Sequence, residues 1–137
     1  MPIVNGVLET SLYVEDLDRA ARFYETVFGF KRMTSDERLC ALSVADRQVL
    51  LLFKRGASTR PAVLPGGTLP PHDGSGTLHL AFAVDAAELP AWEHALRKHG
   101  IAIESRINWP RGGQSLYFRD LDAHLVELVT PGCWPIY

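Results

Sequence analysis

The chain has 137 residues, of which 47% are hydrophobic and 22% charged, which is usual for a soluble globular protein of one domain. The net charge of −2 leaves no basic stripe, so nucleic acids and anionic membranes are not expected partners. The apolar runs are only of strand length, no signal-peptide pattern opens the chain, and the two cysteines match no metal or redox spacing. We therefore expect a cytoplasmic protein with free thiols.

The first half of the chain predicts a β-α-β-β-β unit. A helix is expected over residues 17–28, because its apolar residues fall on one side, Asp16 or Asp18 can cap its start, and Gly29 can end it. The alternation of apolar and polar residues predicts strands over 7–14, 30–34, 38–44 and 48–54.

The segment from Arg55 to Gly76 is rich in proline and glycine and is expected to be irregular. An irregular stretch of this length inside a compact domain is usually either a linker or a functional loop. Both interpretations stay open here: a link between two halves, or a lid over a binding site.

The second half repeats the first. A shift of 70 positions aligns Glu9 with His79, and a shift of 76 aligns Leu51 with Glu127. The repeat predicts a helix over 88–99 and strands over 77–84, 101–107, 115–119 and 124–129. Two such units give an α+β fold with a curved, mixed sheet.

Side chains alternate between the two faces of a strand. Glu9, Ser11 and Tyr13 therefore share one face of the first strand, and His79 shares the corresponding face of its repeat with two alanines. A metal-binding residue followed by small or polar residues suggests a lined hollow rather than a packed layer.

These landmarks resemble the vicinal-oxygen-chelate superfamily, which includes glyoxalases, fosfomycin-resistance thiol transferases, extradiol dioxygenases and bleomycin-binding proteins. The resemblance extends over about residues 5–131 and rests on the segments LYVEDL at 12–17, HLAFAV at 79–84 and LYFRDLD at 116–122. It implies module one over about 5–55, a loop over 56–76, module two over about 77–131 and a tail over 132–137, all within one cup-shaped domain.

The resemblance also implies one divalent metal per site at the bottom of the cup. Carried over residue by residue, it gives Glu9, His79 and Glu127 as ligands, with Leu51 in place of the acid that glyoxalases use. Glu9 stands where the family often has histidine. One imidazole and two carboxylates suit Mn²⁺, Fe²⁺, Zn²⁺, Ni²⁺ or Mg²⁺.

Further roles follow from the same resemblance. Glu9 and Glu127 are candidates for general base as well as ligand, and Tyr117 for a donor to a metal-bound oxygen; Tyr117 is alternatively a core residue. The candidate substrate-binding residues are Ser11, Tyr13, Trp109, Arg111 and Tyr117, although an arginine in a loop is more often solvated.

The remaining histidines are weaker candidates. His94 and His99 are expected on a solvated helix face. His124 lies three positions before Glu127, so it points to the opposite face of the strand and is expected to be structural. His72 could reach the mouth of the cup from the proline-rich loop, but loop histidines are usually exposed.

The function that the resemblance implies is Lewis-acid catalysis on a small substrate with vicinal oxygens, in a homodimer that shares each metal site between chains. Lyase or isomerase, dioxygenase and thiol-transferase reactions all stay open. The alternative is a metal-free module that sequesters a small molecule or antibiotic, as bleomycin-binding relatives do.

Overall fold

The computed structural model describes all residues from Met1 to Tyr137. The chain divides into two compact units, Met1–Gly76 and Thr77–Tyr137. None of its helices has the length and hydropathy needed to cross a membrane.

The first unit is a four-stranded mixed sheet with one helix. Its elements are β1 (Glu9–Val14), α1 (Leu17–Phe28), β2 (Lys31–Ser35), β3 (Leu39–Val44) and β4 (Gln48–Lys54). The strand order is β1-β4-β3-β2, with β1 parallel to β4 and the other neighbours antiparallel.

Helix α1 begins and ends where the sequence predicts. The Asp16 carboxylate accepts the backbone N–H of Arg19, and Gly29 adopts the left-handed conformation with φ of 70°. The helix buries a stripe of residues, namely Ala20, Ala21, Tyr24 and Val27. The sheet contributes Leu12, Val14, Cys40, Leu42, Leu50 and Leu52 to the core of this unit.

The segment that connects the two units is not irregular throughout. It contains a short antiparallel hairpin, β5 (Ala62–Leu64) with β6 (Gly67–Leu69). Pro65 and Gly66 supply the turn between these strands, as their residue types favour. The expectation of a segment without regular structure is therefore wrong in its middle third.

The second unit repeats the first in strand order. Its elements are β7 (His79–Ala83), a 3₁₀ turn (Ala86–Glu88), α2 (Leu89–Lys98), β8 (Ser105–Asn108), β9 (Gln114–Arg119) and β10 (Leu125–Val129). The order is β7-β10-β9-β8, with β7 parallel to β10. Its core contains Leu96, Leu116, Phe118, Val126 and Leu128.

The strand registers confirm the repeat at the level of single residues. Leu51 of β4 lies beside Ser11 of β1, and Glu127 of β10 lies beside Ala81 of β7. Leu51 and Glu127 are therefore equivalent positions, as the two sequence shifts predict. The main difference is β8, which begins at Ser105 rather than at the predicted residue 101.

Candidate metal centre

Two of the proposed metal ligands meet within the second unit. His79 starts β7 beside Leu125 of the central strand β10, and Glu127 lies two residues further along β10 on the same face. The Nε2 atom of His79 is 3.2 Å from Oε2 of Glu127. Ala81, which lies beside Glu127, has too small a side chain to separate the imidazole from the carboxylate.

Both ring nitrogens of His79 lie close to an oxygen atom. Its Nδ1 atom is 3.0 Å from the carbonyl oxygen of Leu125, so Nδ1 carries a proton and donates it to that carbonyl. A neutral imidazole then presents a lone pair at Nε2, directed toward the Glu127 carboxylate. This contact requires either a second proton or a cation between Nε2 and the carboxylate.

Glu127 is almost completely buried and is held on its other oxygen by a tyrosine. Only 6% of Glu127 is exposed, and the hydroxyl of Tyr117 donates to its Oε1 over 2.8 Å. Tyr117 reaches it because the two residues lie directly opposite each other in the antiparallel pair β9–β10. Burial, followed by the hydrogen bond to Glu127, raises the pKa of Tyr117 to about 12. The phenol therefore remains a protonated donor at neutral pH.

This arrangement fits a divalent cation. Two ligand atoms that each lie about 2.1 Å from one ion, at angles near 90–109°, are about 3.0–3.4 Å apart. The separation of 3.2 Å between His79 and Glu127 falls in that range. A buried carboxylate without a cationic partner costs several kcal/mol, and a bound cation would remove that cost.

Glu9 lies in the first unit, at the exposed start of β1, and takes part in none of the ion pairs of the chain. No group of three or more His, Cys, Asp or Glu side chains in the chain is placed to share one metal ion. One chain by itself thus brings together two of the three predicted ligands.

The predicted substrate-binding residues have different surroundings. Ser11 and Tyr13 are half-buried on the same face of β1 as Glu9. Trp109 is held by its indole N–H, which donates to the Ser115 hydroxyl over 2.8 Å. Arg111 is exposed and forms no ion pair.

Three of the other histidines lie where the sequence suggests. His94 and His99 are exposed on or beside α2. His124 is completely buried, and its Nδ1 accepts the backbone N–H of Leu78 over 2.9 Å, which is a structural role.

His72 differs from expectation, because it is half-buried rather than exposed. Its Nδ1 lies 2.7 Å from the hydroxyl of Tyr13, and its ring packs edge-on against Phe53 with centroids 4.4 Å apart. Fifty-nine residues separate His72 from Tyr13. Periodicity within a short segment cannot predict a contact between residues so far apart. The only indication in the sequence was a histidine in a polar, proline-rich loop.

The sequence patterns also do not predict that Cys133 lies close enough to Glu127 to be affected by its charge. The thiol is half-buried in the C-terminal tail. Burial, and after it the charge of the Glu127 carboxylate, raises the pKa of this thiol. Its position follows from the tail folding back, where the backbone N–H of Gly132 donates to the carbonyl of Tyr137.

Comparison with known proteins places this geometry in a family. The family described as Glyoxalase/Bleomycin resistance protein/Dioxygenase superfamily matches residues 6–128. Among curated proteins, the chain is 25% identical to the metallothiol transferase FosB of Shouchella clausii over 93% of this chain and 82% of that protein. It is 29% identical to the fosfomycin resistance protein FosX of Mesorhizobium japonicum, over 93% and 87% of the two chains.

A solved structure agrees with this assignment. The crystal structure of lactoylglutathione lyase from Agrobacterium tumefaciens superposes with a TM-score of 0.87 at 32% sequence identity, over 96% of this chain and 98% of that one. The α+β fold predicted from the sequence is confirmed by this likeness. The chain belongs to the Glyoxalase/Bleomycin resistance protein/Dioxygenase superfamily.

Proposed function

We propose that the chain is a divalent-metal-dependent enzyme that acts on a small molecule with neighbouring oxygen atoms. The observation that carries this proposal is the contact between Nε2 of His79 and Oε2 of Glu127 at 3.2 Å. The other nitrogen of the imidazole is already engaged by the Leu125 carbonyl, so the lone pair of Nε2 and the carboxylate are arranged as ligands of one cation.

The third ligand in this proposal is Glu9 of a second copy of the chain. Catalytic metal sites usually use three protein ligands and leave the remaining positions for water or substrate, and His79 with Glu127 supplies only two. A homodimer in which each site takes Glu9 from one chain and the other pair from its partner completes the set. The resulting ligands, one imidazole and two carboxylates, suit Mn²⁺, Fe²⁺, Zn²⁺, Ni²⁺ or Mg²⁺.

The residues have distinct tasks in the reaction. When bound, the metal ion supplies Lewis-acid stabilisation of negative charge on the substrate oxygens. The Leu125 carbonyl fixes the orientation of the His79 imidazole, and Tyr117 fixes that of the Glu127 carboxylate. Both oxygens of Glu127 thereby have a partner, whereas Glu9 is exposed and unpaired. Of the two acids, Glu9 is the better candidate to accept a proton from substrate.

The relatives narrow the substrate class. The names metallothiol transferase and lactoylglutathione lyase both refer to a thiol or to a thiol conjugate. We infer that the substrate of this chain is an oxygen-rich molecule that carries, or receives, a thiol. The absence of an acid at Leu51 argues for a reaction that proceeds with two carboxylates at the metal instead of three.

Metal titration tests the proposal. Metal-free protein would be titrated in a calorimeter with Mn²⁺, Fe²⁺, Zn²⁺, Ni²⁺ and Mg²⁺ in turn, and its metal content measured after dialysis, for the wild type and for His79→Ala. We expect about one ion per chain in the wild type and none in the variant. His94→Ala is the matched control, since it removes an exposed histidine from α2 in the same unit.

Two outcomes would contradict the metalloenzyme. Wild-type protein that binds none of the five metals would favour the small-molecule-binding module instead. Equal binding by His79→Ala would place any metal elsewhere in the molecule.

A further inference from the structure

The proline-rich segment ends on the face of β1 that carries the predicted substrate-binding residues. Residues 70–76, here named the strap, follow the β5–β6 hairpin and lead to the second unit. The hydroxyl of Tyr13 and the Nδ1 of His72 are 2.7 Å apart, and the His72 ring packs edge-on against Phe53. Phe53 lies beside Tyr13 on β4, so both contacts are on one face of the sheet.

Three further features hold the strap on this face. The backbone N–H of His72 donates to the carbonyl of Ser58 over 2.9 Å. Gly74 lies so close to Tyr13 that a Cβ atom at this position would overlap the tyrosine ring. Two prolines, Pro70 and Pro71, precede His72 and restrict the backbone, so the chain loses less entropy when the strap is ordered.

The hydrogen bond with Tyr13 occupies one nitrogen of the His72 imidazole. Burial, and after it the charge of Asp73, raises the pKa of Tyr13, so the phenol keeps its proton at neutral pH. A protonated phenol either donates to Nδ1 or accepts from it, and the tautomer of the ring follows from which of the two occurs. Nε2 of His72 takes part in no side-chain hydrogen bond and is the ring nitrogen left for a ligand.

We propose that Nδ1 of His72 accepts from Tyr13 and that His72 contacts the substrate, its Nε2–H donating to an oxygen on the part of the substrate remote from the metal. This inference rests on the proposed function, in which Glu9 holds the metal. Glu9 and Tyr13 share a face of β1 and are four residues apart, which is about 13 Å along a strand. A three-carbon acid is too short to span that distance, whereas a peptide thiol conjugate is long enough.

Two buried polar groups in the segment that leads to the strap have no hydrogen-bond partner. The hydroxyl of Ser58 is buried and has no partner in the chain, and Nε of Arg55 is in the same situation. Unsatisfied buried groups of this kind cost free energy in the arrangement with the strap closed. Opening of the strap would admit a substrate to the face of β1, and its closure would bring His72 onto the remote end of that substrate.

Nitrogen-15 spectra of the histidine rings and amide hydrogen exchange test the strap without reference to catalysis. We expect the His72 ring to be protonated at Nε2 alone, and its amide hydrogen to be protected from exchange. Gly74→Ala should remove that protection, because the added methyl group overlaps Tyr13. A His72 ring protonated at Nδ1, or an amide that exchanges freely in the wild type, would overturn the inference.

Glutathione is the probe for the contact itself, as the thiol named in one relative. Its addition should shift the His72 Nε2 signal, and His72→Ala should weaken its binding about three- to tenfold, the usual effect of losing one hydrogen bond. His99→Ala is the control and should bind as the wild type does. Failure of glutathione to bind the wild type, or binding unchanged in His72→Ala, would overturn the contact.

The metal titration separates this inference from the proposed function. Protein that binds one Mn²⁺ per chain but whose His72 does not respond to glutathione would refute the contact and leave the metalloenzyme intact. Protein that binds glutathione through His72 but no metal would refute the metalloenzyme.

Discussion

Tyr117 connects the packing of the second sheet to Glu127, the proposed metal ligand. Its hydroxyl donates to Oε1 of Glu127, which leaves Oε2 as the oxygen that faces His79. A ligand carboxylate that is held in this way does not have to be ordered when the ion binds. The hydrogen bond therefore favours metal binding although the phenol does not coordinate the ion.

Tyr117→Phe should weaken metal binding while the fold remains intact. We expect the dissociation constant for Mn²⁺ to rise about 10- to 100-fold, as is usual when a hydrogen-bond partner of a ligand is removed. Calorimetric titration measures the change. Tyr137→Phe serves as the control, because its hydroxyl contacts only backbone carbonyls, those of Val84 and Val129. Equal affinities for both variants would exclude this role for Tyr117.

At the scale of an element, the turn between β9 and β10 sets the position of β7. The Asp120 carboxylate accepts the backbone N–H groups of Asp122 and His124, which holds the turn. His124 then accepts the N–H of Leu78, the residue just before β7, and the N–H of Leu125 donates to the Leu78 carbonyl. Both the N–H and the carbonyl of Leu78, which precedes His79, are thus hydrogen-bonded.

His124→Ala should destabilise the second unit by about 3 kcal/mol, since it leaves a cavity and the partly buried N–H of Leu78 without its acceptor. His124→Asn should recover part of this loss, because the amide oxygen of asparagine can replace Nδ1 as acceptor. Urea denaturation measures both variants. If alanine and asparagine destabilise equally, the hydrogen bond to Leu78 contributes little and the cavity accounts for the loss.

The sequence contained most of the information about regular elements. Alternating apolar residues predicted both four-stranded sheets, and the shift of 76 positions predicted that Leu51 and Glu127 are equivalent, as their strand registers confirm. The start of β8 was predicted too early because Ile101 continues the apolar alternation. In the structure its N–H instead bonds to the carbonyl of Leu96 at the end of α2.

The site was less predictable than the fold, for a physical reason. The face on which His79 and Glu127 lie follows from strand parity, but the contact between them depends on the pairing of β7 with β10. The contact of His72 with Tyr13 depends on the path of a whole connecting segment. Such long-range contacts are determined by packing, which periodicity in a single sequence does not report.

At the scale of the whole molecule, the internal repeat divides the proposed ligands between the two halves of the chain. The first unit contributes Glu9, and the second contributes His79 and Glu127. A site shared between two chains and a site within one chain respond differently when two defective variants are mixed.

Mixing Glu9→Gln with His79→Ala tests the shared site. Each variant alone should bind no metal. In a mixed dimer, Glu9 of one chain and His79 of the other are both intact, so one of the two sites should recover. Metal analysis of the dimer that carries two different affinity tags, purified through both, measures this recovery. A mixed dimer without metal would refute the shared site, and its control is the same preparation with two wild-type chains.

Leu51 has a consequence for the charge of the proposed centre. The equivalent position of the second unit is Glu127, and the first unit presents an alkyl side chain there. A divalent ion held by two carboxylates and a neutral imidazole is electrically balanced, whereas a third carboxylate would make the centre an anion. A balanced centre does not repel an incoming anion, so carboxylate, phosphonate and enolate oxygens can approach the metal without opposition from the protein. In the proposed centre, the apolar residue at position 51 thus favours anionic substrates, because it leaves the total charge at zero.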